Sequence, residues 1–242
     1  MTATTPPKRS ALLLGASGSV GEAVFDELLR CGAFSSVVTF VRRSQTSQVE
    51  RARAAGVELR EVQVPAMDAA SLEAATAKAL EDVAGEAVGL SVLGIGAGTA
   101  KLTIDEHRAV DVRLNEAFAR ALENSGRVKH LAFMSAAGAD ASASETGSGA
   151  AGMARYNRVK GEAEVAVKAS GPEVVSIFRP AMILGSKHTP GVLAKVLPLF
   201  AFATPARFKS ITVQQIAKAM VATSMKPPTA SGVFHYPEMV AF

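Results

Sequence analysis

A glycine-rich turn directly after an apolar run is the feature that most limits how this chain can fold. The apolar run 11–14 ends in glycines spaced three apart, and residues 20–30 then carry Val24, Phe25, Leu28 and Leu29 at helical spacing. A strand, a glycine turn and a helix in this order form a site for phosphate, because free backbone N–H groups and the positive helix end face the turn.

Each glycine of the turn has a predicted task. Gly15 permits a sharp exit from the strand, Gly18 lets the backbone approach a pyrophosphate, and Gly21 lets the helix lie close to the strand. The spacing is G-x-x-G-x-x-G and not G-x-G-x-x-G, so a purely structural glycine turn is the alternative. The predicted cofactor-binding residues here are Gly15, Ala16, Ser17, Gly18, Ser19, Val20 and Gly21.

Short apolar runs alternate with helical patterns along the chain, which predicts an α/β fold with a Rossmann-like, doubly wound parallel sheet. The predicted strands are 11–14, 37–41, 58–62, 88–93, 128–134 and 174–178, and the predicted helices are 20–30, 45–55, 69–83, 104–124 and 155–169. Residues 136–152, nearly all small or polar, predict a flexible loop. We expect one domain over 1–242, with a dinucleotide-binding core at 10–180. A small lid or substrate lobe at 181–242 would contain helices 192–202 and 213–224.

Composition excludes several classes of function. The 26 basic and 22 acidic residues give a net charge of +4 spread along the chain, which argues against nucleic-acid binding. The single cysteine, Cys31, rules out an intramolecular disulfide, and no metal-ligand spacing occurs, so no metal is expected. The longest later apolar stretch, 191–202, is interrupted by Lys195 and Pro198 and is too short for a bilayer. We expect a cytoplasmic protein without membrane insertion.

The end of the second predicted strand indicates which dinucleotide binds. It runs into Arg42 and Arg43, with no acid before Glu50. Arginine pairs well with the extra phosphate of NADP, whereas a carboxylate there would bind the ribose of NAD, so NADP(H) is favoured. The alternative is that both arginines only begin a solvated helix. Asp68 either accepts a hydrogen bond from the adenine amino group or caps the next helix.

Three further residues suggest proton-transfer chemistry. Tyr156 and Lys160 are four residues apart and share a helix face, and an ammonium lowers the pKa of a neighbouring phenol. Ser135 follows the fifth predicted strand, where open α/β sheets bind their ligands. The predicted roles are proton donor for Tyr156, tuning and ribose binding for Lys160, and positioning of a substrate carbonyl for Ser135. The alternative is an ordinary exposed helix face.

The small residues after the fourth strand are also placed to meet a cofactor. Gly94, Ile95 and Gly96 allow that strand end to approach the dinucleotide, unless they form only a flexible turn. The four histidines are scattered without metal spacing or a nucleophile partner, and we interpret them as structural or surface residues.

Together these motifs resemble the short-chain dehydrogenase/reductase superfamily, most closely its atypical, Tat-interacting-protein-like group related to NAD(P)-binding nitrogen-regulator proteins. The residues that carry the resemblance are Leu14 to Gly18, Gly21, Phe40 to Arg43, Ser135, Gly138 to Asp140, Tyr156 to Glu162, Phe178 to Pro180 and Gly185. The resemblance implies NADP(H) binding and the roles given above. It also implies that 179–185 passes the nicotinamide, with Arg179, Pro180 and Ile183 as cofactor-binding residues.

The chain departs from the superfamily pattern in three places. Ala136 follows Ser135 where a second serine is usual, and 21 positions separate Ser135 from Tyr156. The helix asparagine of many active members has no clear match, since Asp111 lies near that register and Asn115 one turn later.

Two functions follow as hypotheses. The first is an NADP(H)-dependent oxidoreductase that transfers hydride to a small carbonyl or quinone-like acceptor, with Tyr156 as acid/base. The alternative is a catalytically weak NADP(H)-sensing regulator that acts through a protein partner. The apolar side chains between 193 and 202 fit a lid, a core or a homodimer surface equally well.

Overall fold

A computed structural model describes residues 9–96, 99, 102–146, 150–185 and 205–242. The predicted helix 192–202 and His188 lie outside these residues. No helix in the described ranges is long and apolar enough to cross a membrane.

Seven parallel strands form the main sheet: β1 (Arg9–Leu14), β2 (Ser36–Val41), β3 (Glu58–Gln63), β4 (Glu86–Ser91), β5 (Val128–Met134), β6 (Val174–Phe178) and β9 (Gly232–Phe234). Their order across the sheet is β3-β2-β1-β4-β5-β6-β9. The order reverses between β1 and β4, and open α/β sheets bind ligands at the carboxyl edge of such a switch point. The predicted doubly wound sheet is confirmed.

Helices cover both faces of this sheet. They are α1 (Ser19–Arg30), α2 (Thr46–Ala55), α3 (Ala69–Glu81), α4 (Ile104–Arg108), α5 (Asn115–Asn124), α6 (Ala150–Ser170), α7 (Val213–Met225) and α8 (Tyr236–Met239). A π-helical turn, Ala109–Leu114, joins α4 to α5, and a 3₁₀ turn spans Ala206–Phe208. A second, two-stranded sheet pairs β7 (Ile183–Leu184) with β8 (Ile211–Thr212).

Alternate residues of β1 belong to two different hydrophobic cores, which explains why its sequence is apolar without interruption. Ala11 and Leu13 join the core beneath α1 and α7, whereas Leu12 and Leu14 join the core beneath α3, α5 and α6. A strand buried on both faces has no solvent side, so the usual alternation of polar and apolar residues is absent.

Part of the C-terminal region packs into the main core of the domain. The predicted helix 213–224 is present as α7, but its residues Ile216 and Met220 are fully buried in the same core as Val24 and Leu28 of α1. Beyond it, β9 extends the main sheet beside β6. A segment of three residues carries too little periodicity to predict a strand, and hydrogen bonding to β6 decides its conformation. Whether residues 181–242 also form a lid or substrate region stays a prediction.

Candidate functional site

The glycine turn has the backbone geometry that its sequence predicts. Gly15 has φ +91°, a conformation open mainly to glycine, and a Cβ there would lie 2.8 Å from the Leu93 nitrogen. A Cβ on Gly21 would lie 2.0 Å from the Gly15 carbonyl oxygen. The close approach of α1 to the turn therefore requires glycine at 21, and the positive φ and the nearby chain after β4 require glycine at 15.

Gly18 is different, because protein packing alone does not require it. Its N–H donates to the Gly15 carbonyl at 3.2 Å, and a Cβ there would lie 3.6 Å from that oxygen, an ordinary contact. Gly18 also precedes the first residue of α1, where the helix presents its positive end. The space at Gly18 thus fits a turn that brings its backbone close to a phosphate pair.

Exchanging these glycines for alanine separates packing from ligand binding. Gly21→Ala is expected to lower the free energy of unfolding of the unliganded protein by at least about 1–3 kcal/mol, because backbone must move to admit the methyl group. Gly18→Ala is expected to change that free energy by less than about 0.5 kcal/mol while weakening NADPH and NADH binding alike. Urea unfolding and calorimetric titration measure the two effects. Unchanged dinucleotide affinity in Gly18→Ala would contradict the proposed approach to the pyrophosphate.

Gln48, which no sequence pattern singles out, is hydrogen-bonded to the backbone of the glycine turn. Gln48 of α2 is fully buried, and its amide nitrogen donates to the Ala16 carbonyl and to Glu22 Oε1, both at 3.0 Å. Arg51 in turn pairs with Glu22 and Asp26. The periodicity of 45–55 predicts the helix but gives no sign that one glutamine points inward.

Two adjoining cavities lie at the carboxyl edge of β1, β2 and β4. One, of about 410 Å³, is lined by Gly15, Phe40, Met67, Leu93, Ile95 and Val110 among others, and its walls are largely apolar side chains and glycine backbone. The other, of about 490 Å³, is lined by Ser17, Arg42 and Arg43. Ser17 and Arg42 line both cavities. The structure therefore brings the predicted phosphate turn and the predicted arginines to one continuous groove.

Arg42 and Arg43 are exposed at this groove, and within the described ranges neither forms an ion pair. The nearby carboxylate of Glu61 on β3 accepts from the Gln45 N–H at 2.7 Å and from the Ser44 hydroxyl. Glu61 therefore fixes the chain just after the two guanidinium groups, and both arginines keep their donors for an anion.

Asp68 occupies the N-cap of α3. Its two carboxylate oxygens accept from the Ser71 N–H at 2.9 Å and the Ser71 hydroxyl at 2.7 Å, and these bonds lower the pKa of Asp68. The capping alternative is thus observed, while its neighbour Met67 lines the groove. Contact between Asp68 and adenine stays a prediction.

Lys160 lies at the centre of a buried ionic cluster. Its ammonium contacts Asp111 Oδ1 at 2.7 Å, and the side chains of both residues are at most 3% exposed. Asp111 Oδ2 accepts from the Ile95 N–H at 3.1 Å. A Cβ on Gly94 would lie 2.9 Å from the Lys160 nitrogen and 3.0 Å from Asp111 Oδ1, so any side chain after β4 would crowd the ion pair. This links the predicted 94–96 segment directly to the predicted lysine.

The π-helical turn places Asp111 in this cluster. Asn115, at its end, donates to the Asp111 carbonyl at 2.8 Å and accepts from the Ser91 hydroxyl at 2.5 Å. A wider turn of this kind inserts a residue into a helix and often occurs at functional sites. The sequence predicts an uninterrupted helix over 104–124, and only the fold shows that Asp111 is the partner of Lys160.

Burial and pairing set the charges in the cluster. Burial is the largest single effect and opposes ionisation of Asp111, but Lys160 and His107 together outweigh it and lower the pKa of Asp111 to about 2. Burial likewise opposes the charge of Lys160, and Asp111 together with Tyr156 and Glu164 more than compensates, which raises the pKa of Lys160. Lys160 is therefore a permanent cation at neutral pH.

Tyr156 lies directly beside this cation. The Lys160 nitrogen is 5.9 Å from the centre of the Tyr156 ring. The His107 ring stacks on the same Tyr156 ring, with 5.8 Å between centroids. The predicted pair on one face of α6 is thus observed, with α6 beginning at Ala150 and not at 155.

The Ser135 hydroxyl is the third predicted chemical group. Ser135 follows β5, is 3% exposed, and its oxygen has no hydrogen-bond partner among the described residues. Its N–H donates to the Phe178 carbonyl at 2.7 Å, which fixes its backbone against the end of β6. A buried polar group without a partner costs free energy unless a ligand completes it.

The segment after β6 is held by α6. The Arg179 guanidinium binds both oxygens of Glu164 at 2.8 and 2.6 Å, which raises the pKa of Arg179. The Pro180 carbonyl accepts from the Ala137 N–H at 2.8 Å, and Ile183 lies in β7. The Arg179 side chain is therefore held by Glu164, and contact of this segment with a nicotinamide stays a prediction.

The small-residue loop predicted to be flexible is tied down over 136–146. Arg158 of α6 donates to the Ala143 carbonyl at 2.9 Å, and Glu145 pairs with Arg108 and Arg158. A Cβ on Gly161 would lie 2.1 Å from the Ala141 nitrogen, so this glycine admits the loop backbone. Charged residues outside the loop supply the contacts that its own composition lacks.

The parallel sheet and the glycine turn define a Rossmann-type nucleotide-binding fold, in which the buried Lys160–Asp111 pair lies beside the half-buried Tyr156. The model of the NAD(P)H-binding family matches residues 15–227, and the chain belongs to that family.

Several solved structures share the fold. A short-chain dehydrogenase/reductase from Serratia marcescens is 18% identical with a TM-score of 0.68, and the match covers 97% of this chain and 100% of that one. A 3-oxoacyl-[acyl-carrier protein] reductase from Brucella melitensis in complex with NAD is 16% identical with a TM-score of 0.71, covering 99% and 100%. A variant of actinorhodin polyketide ketoreductase with NADPH is 17% identical with a TM-score of 0.61, covering 96% and 97%.

Proposed function

We propose that this protein is an NADP(H)-dependent oxidoreductase that reduces a small carbonyl or quinone-like acceptor. The observation that carries the proposal is the buried Lys160 ammonium, paired with Asp111 and 5.9 Å from the ring centre of Tyr156. Burying two charges carries a desolvation penalty that apolar side chains would avoid, which indicates a functional role for the pair. A fixed cation beside Tyr156 favours the phenolate that remains after proton donation.

NADPH, when bound, supplies the hydride for the carbonyl carbon. Tyr156 donates the phenolic proton to the carbonyl oxygen, and the Ser135 hydroxyl, which has no partner within the described residues, donates a hydrogen bond to the same oxygen. Lys160 stabilises the resulting phenolate, and its remaining N–H groups bind the nicotinamide ribose. The residues that would hold the rest of the cofactor are the 15–21 turn and the two arginines at the groove.

Isotope transfer tests the reaction independently of its natural substrate. The protein is incubated with NADPH deuterated on either face of C4 and with an aromatic diketone and a quinone as probes. We expect deuterium from one face only at the product carbinol carbon, as detected by NMR for the diketone, because a protein site exposes one face of the cofactor. NADPH binding without transfer to any probe would contradict the proposal and favour the sensing alternative.

The two arginines provide a separate prediction about the cofactor. The double variant Arg42→Ala/Arg43→Ala is expected to weaken NADPH by about 1–3 kcal/mol and NADH much less, because charge-assisted bonds to the 2′-phosphate are lost. Calorimetric titration with both dinucleotides measures the difference. One of the solved structures of this fold is a complex with NAD and another a complex with NADPH. The proposed preference for NADPH therefore rests on Arg42 and Arg43.

A matched control removes the same charge elsewhere. Lys78 and Lys168 are exposed in the last turns of α3 and α6, which in a parallel α/β fold lie at the sheet edge opposite the ligand groove. The variant Lys78→Ala/Lys168→Ala is expected to bind NADPH like the wild type. Equal weakening of NADPH and NADH in the arginine variant would contradict recognition of a 2′-phosphate.

A further inference from the structure

The site contains a histidine that the reaction above does not use. His107 of α4 is fully buried, and neither ring nitrogen has a hydrogen-bond partner within the described part of the chain. A buried imidazole without partners loses its hydrogen bonds to water, and no protein hydrogen bond offsets that desolvation cost. A phenylalanine would fill the same space at lower cost, so the nitrogen atoms need an explanation.

The surroundings of His107 supply one. Its ring stacks on Tyr156 with 5.8 Å between centroids and 21° between planes. Its Nε2 lies 3.7 Å from Asp111 Oδ2, just beyond hydrogen-bond length. Hydrogen bonds of catalytic groups are often long before ligands bind and shorten in the complex. One ring therefore contacts the proposed proton donor with its face and the lysine's partner with its edge.

We propose that His107 is a positioning residue, which carries a proton on Nε2 and donates it in a hydrogen bond to Asp111 when the dinucleotide is bound. The stack fixes the plane of the Tyr156 ring, and the Nε2 bond fixes the carboxylate that orients Lys160. His107 thus holds the phenol and the ion pair as one unit. The inference rests on the proposed function, since positioning matters only if Tyr156 transfers a proton.

The tautomer of His107 tests the proposal without any turnover. The chain has four histidines, so ¹⁵N imidazole NMR of the NADPH complex gives few signals, and His107→Phe identifies the one that disappears. We expect a protonated Nε2 whose signal shifts on NADPH binding. A bare Nε2 with the proton on Nδ1 would overturn the proposal.

Three substitutions separate the ring from the nitrogen. His107→Phe keeps the stack and loses Nε2, His107→Gln keeps a donor near the Nε2 position and loses the ring, and His107→Ala loses both. We expect kcat to fall about tenfold to a hundredfold in His107→Ala and His107→Phe with KM for NADPH nearly unchanged, and His107→Gln to recover part of kcat. Wild-type kcat in His107→Phe would overturn the role of Nε2, whatever its effect on Tm.

A spectroscopic readout tests the stack itself. The chain has two tyrosines and no tryptophan, so in a Tyr236→Phe background the tyrosine band of the near-UV circular dichroism spectrum comes from Tyr156 alone. The band is expected to persist in His107→Phe and to weaken in His107→Ala and His107→Gln.

The variant Tyr156→Phe, assayed in parallel for turnover, distinguishes failure of the proposed function from failure of the inference about His107 alone. If it turns over normally, the proposed function fails; if it is inactive while all three His107 variants are normal, only the present inference fails.

Discussion

Replacing Tyr156 with phenylalanine is expected to slow turnover by about 100-fold to 10,000-fold while leaving NADPH affinity nearly unchanged. The change removes one oxygen, and with it the only proton that the proposed reaction takes from α6. The ring remains, so its stack with His107 and its contact with the Lys160 ammonium are preserved. Steady-state rates with the carbonyl probes and calorimetric titration with NADPH measure the two quantities.

Ser135→Ala provides the matched comparison. It also removes one hydroxyl at the same site, but a hydrogen bond and not the transferred proton is lost, so a smaller fall in kcat is expected. Wild-type turnover in Tyr156→Phe would remove Tyr156 from the reaction and leave the ion pair without a catalytic purpose.

Breaking the buried ion pair by removing one partner is expected to be the most destabilising single substitution in the site. Asp111→Asn leaves the fully enclosed Lys160 charge without its partner, and a loss of about 3–5 kcal/mol in the free energy of unfolding is expected. Urea unfolding at neutral pH measures this loss. The double variant Asp111→Leu/Lys160→Met removes both charges together and is expected to recover most of it.

A surface pair serves as the control. Arg120 and Glu73 are 3.2 Å apart but 41% and 33% exposed, so Glu73→Gln is expected to cost only about 0–1 kcal/mol. A similar, small cost for Asp111→Asn would show that the Asp111–Lys160 pair is solvated in solution.

The contribution of Asp111 is also expected to depend on pH in a defined direction. In the folded protein burial opposes ionisation of Asp111, but Lys160 and His107 together lower its pKa from 3.8 to about 2. The unfolded chain therefore binds the proton first as pH falls, and the stabilisation by Asp111 is complete above pH 3.8 and is lost towards pH 2. The difference in unfolding free energy between wild type and Asp111→Asn, measured across this range, should shrink with falling pH. A constant difference would contradict the lowered pKa.

Local sequence predicted the fold and several candidate site residues. The apolar runs predict buried strands, and the spacing of Gly15, Gly18 and Gly21 after the first run predicts a phosphate-binding turn. The four-residue spacing of Tyr156 and Lys160 predicts their shared face. These features could be recognised because each depends on neighbours within one turn or one strand.

The partners of those residues were decided only by the tertiary structure. Asp111, Gln48 and Glu61 lie far along the chain from the groups they bind, and so does His107 from the Tyr156 ring. Nothing in their local pattern marks them as inward-facing. A π-helical turn moves Asp111 to Lys160, and helix packing moves Gln48 to the glycine turn. Helix and strand propensities act over a few residues, whereas burial, pairing and charge depend on which elements meet. The sequence by itself therefore determined a dinucleotide-binding sheet with a tyrosine and a lysine at its edge. Only the assembled fold decided that the buried carboxylate of Asp111 pairs with the lysine and that the imidazole of His107 stacks on the tyrosine.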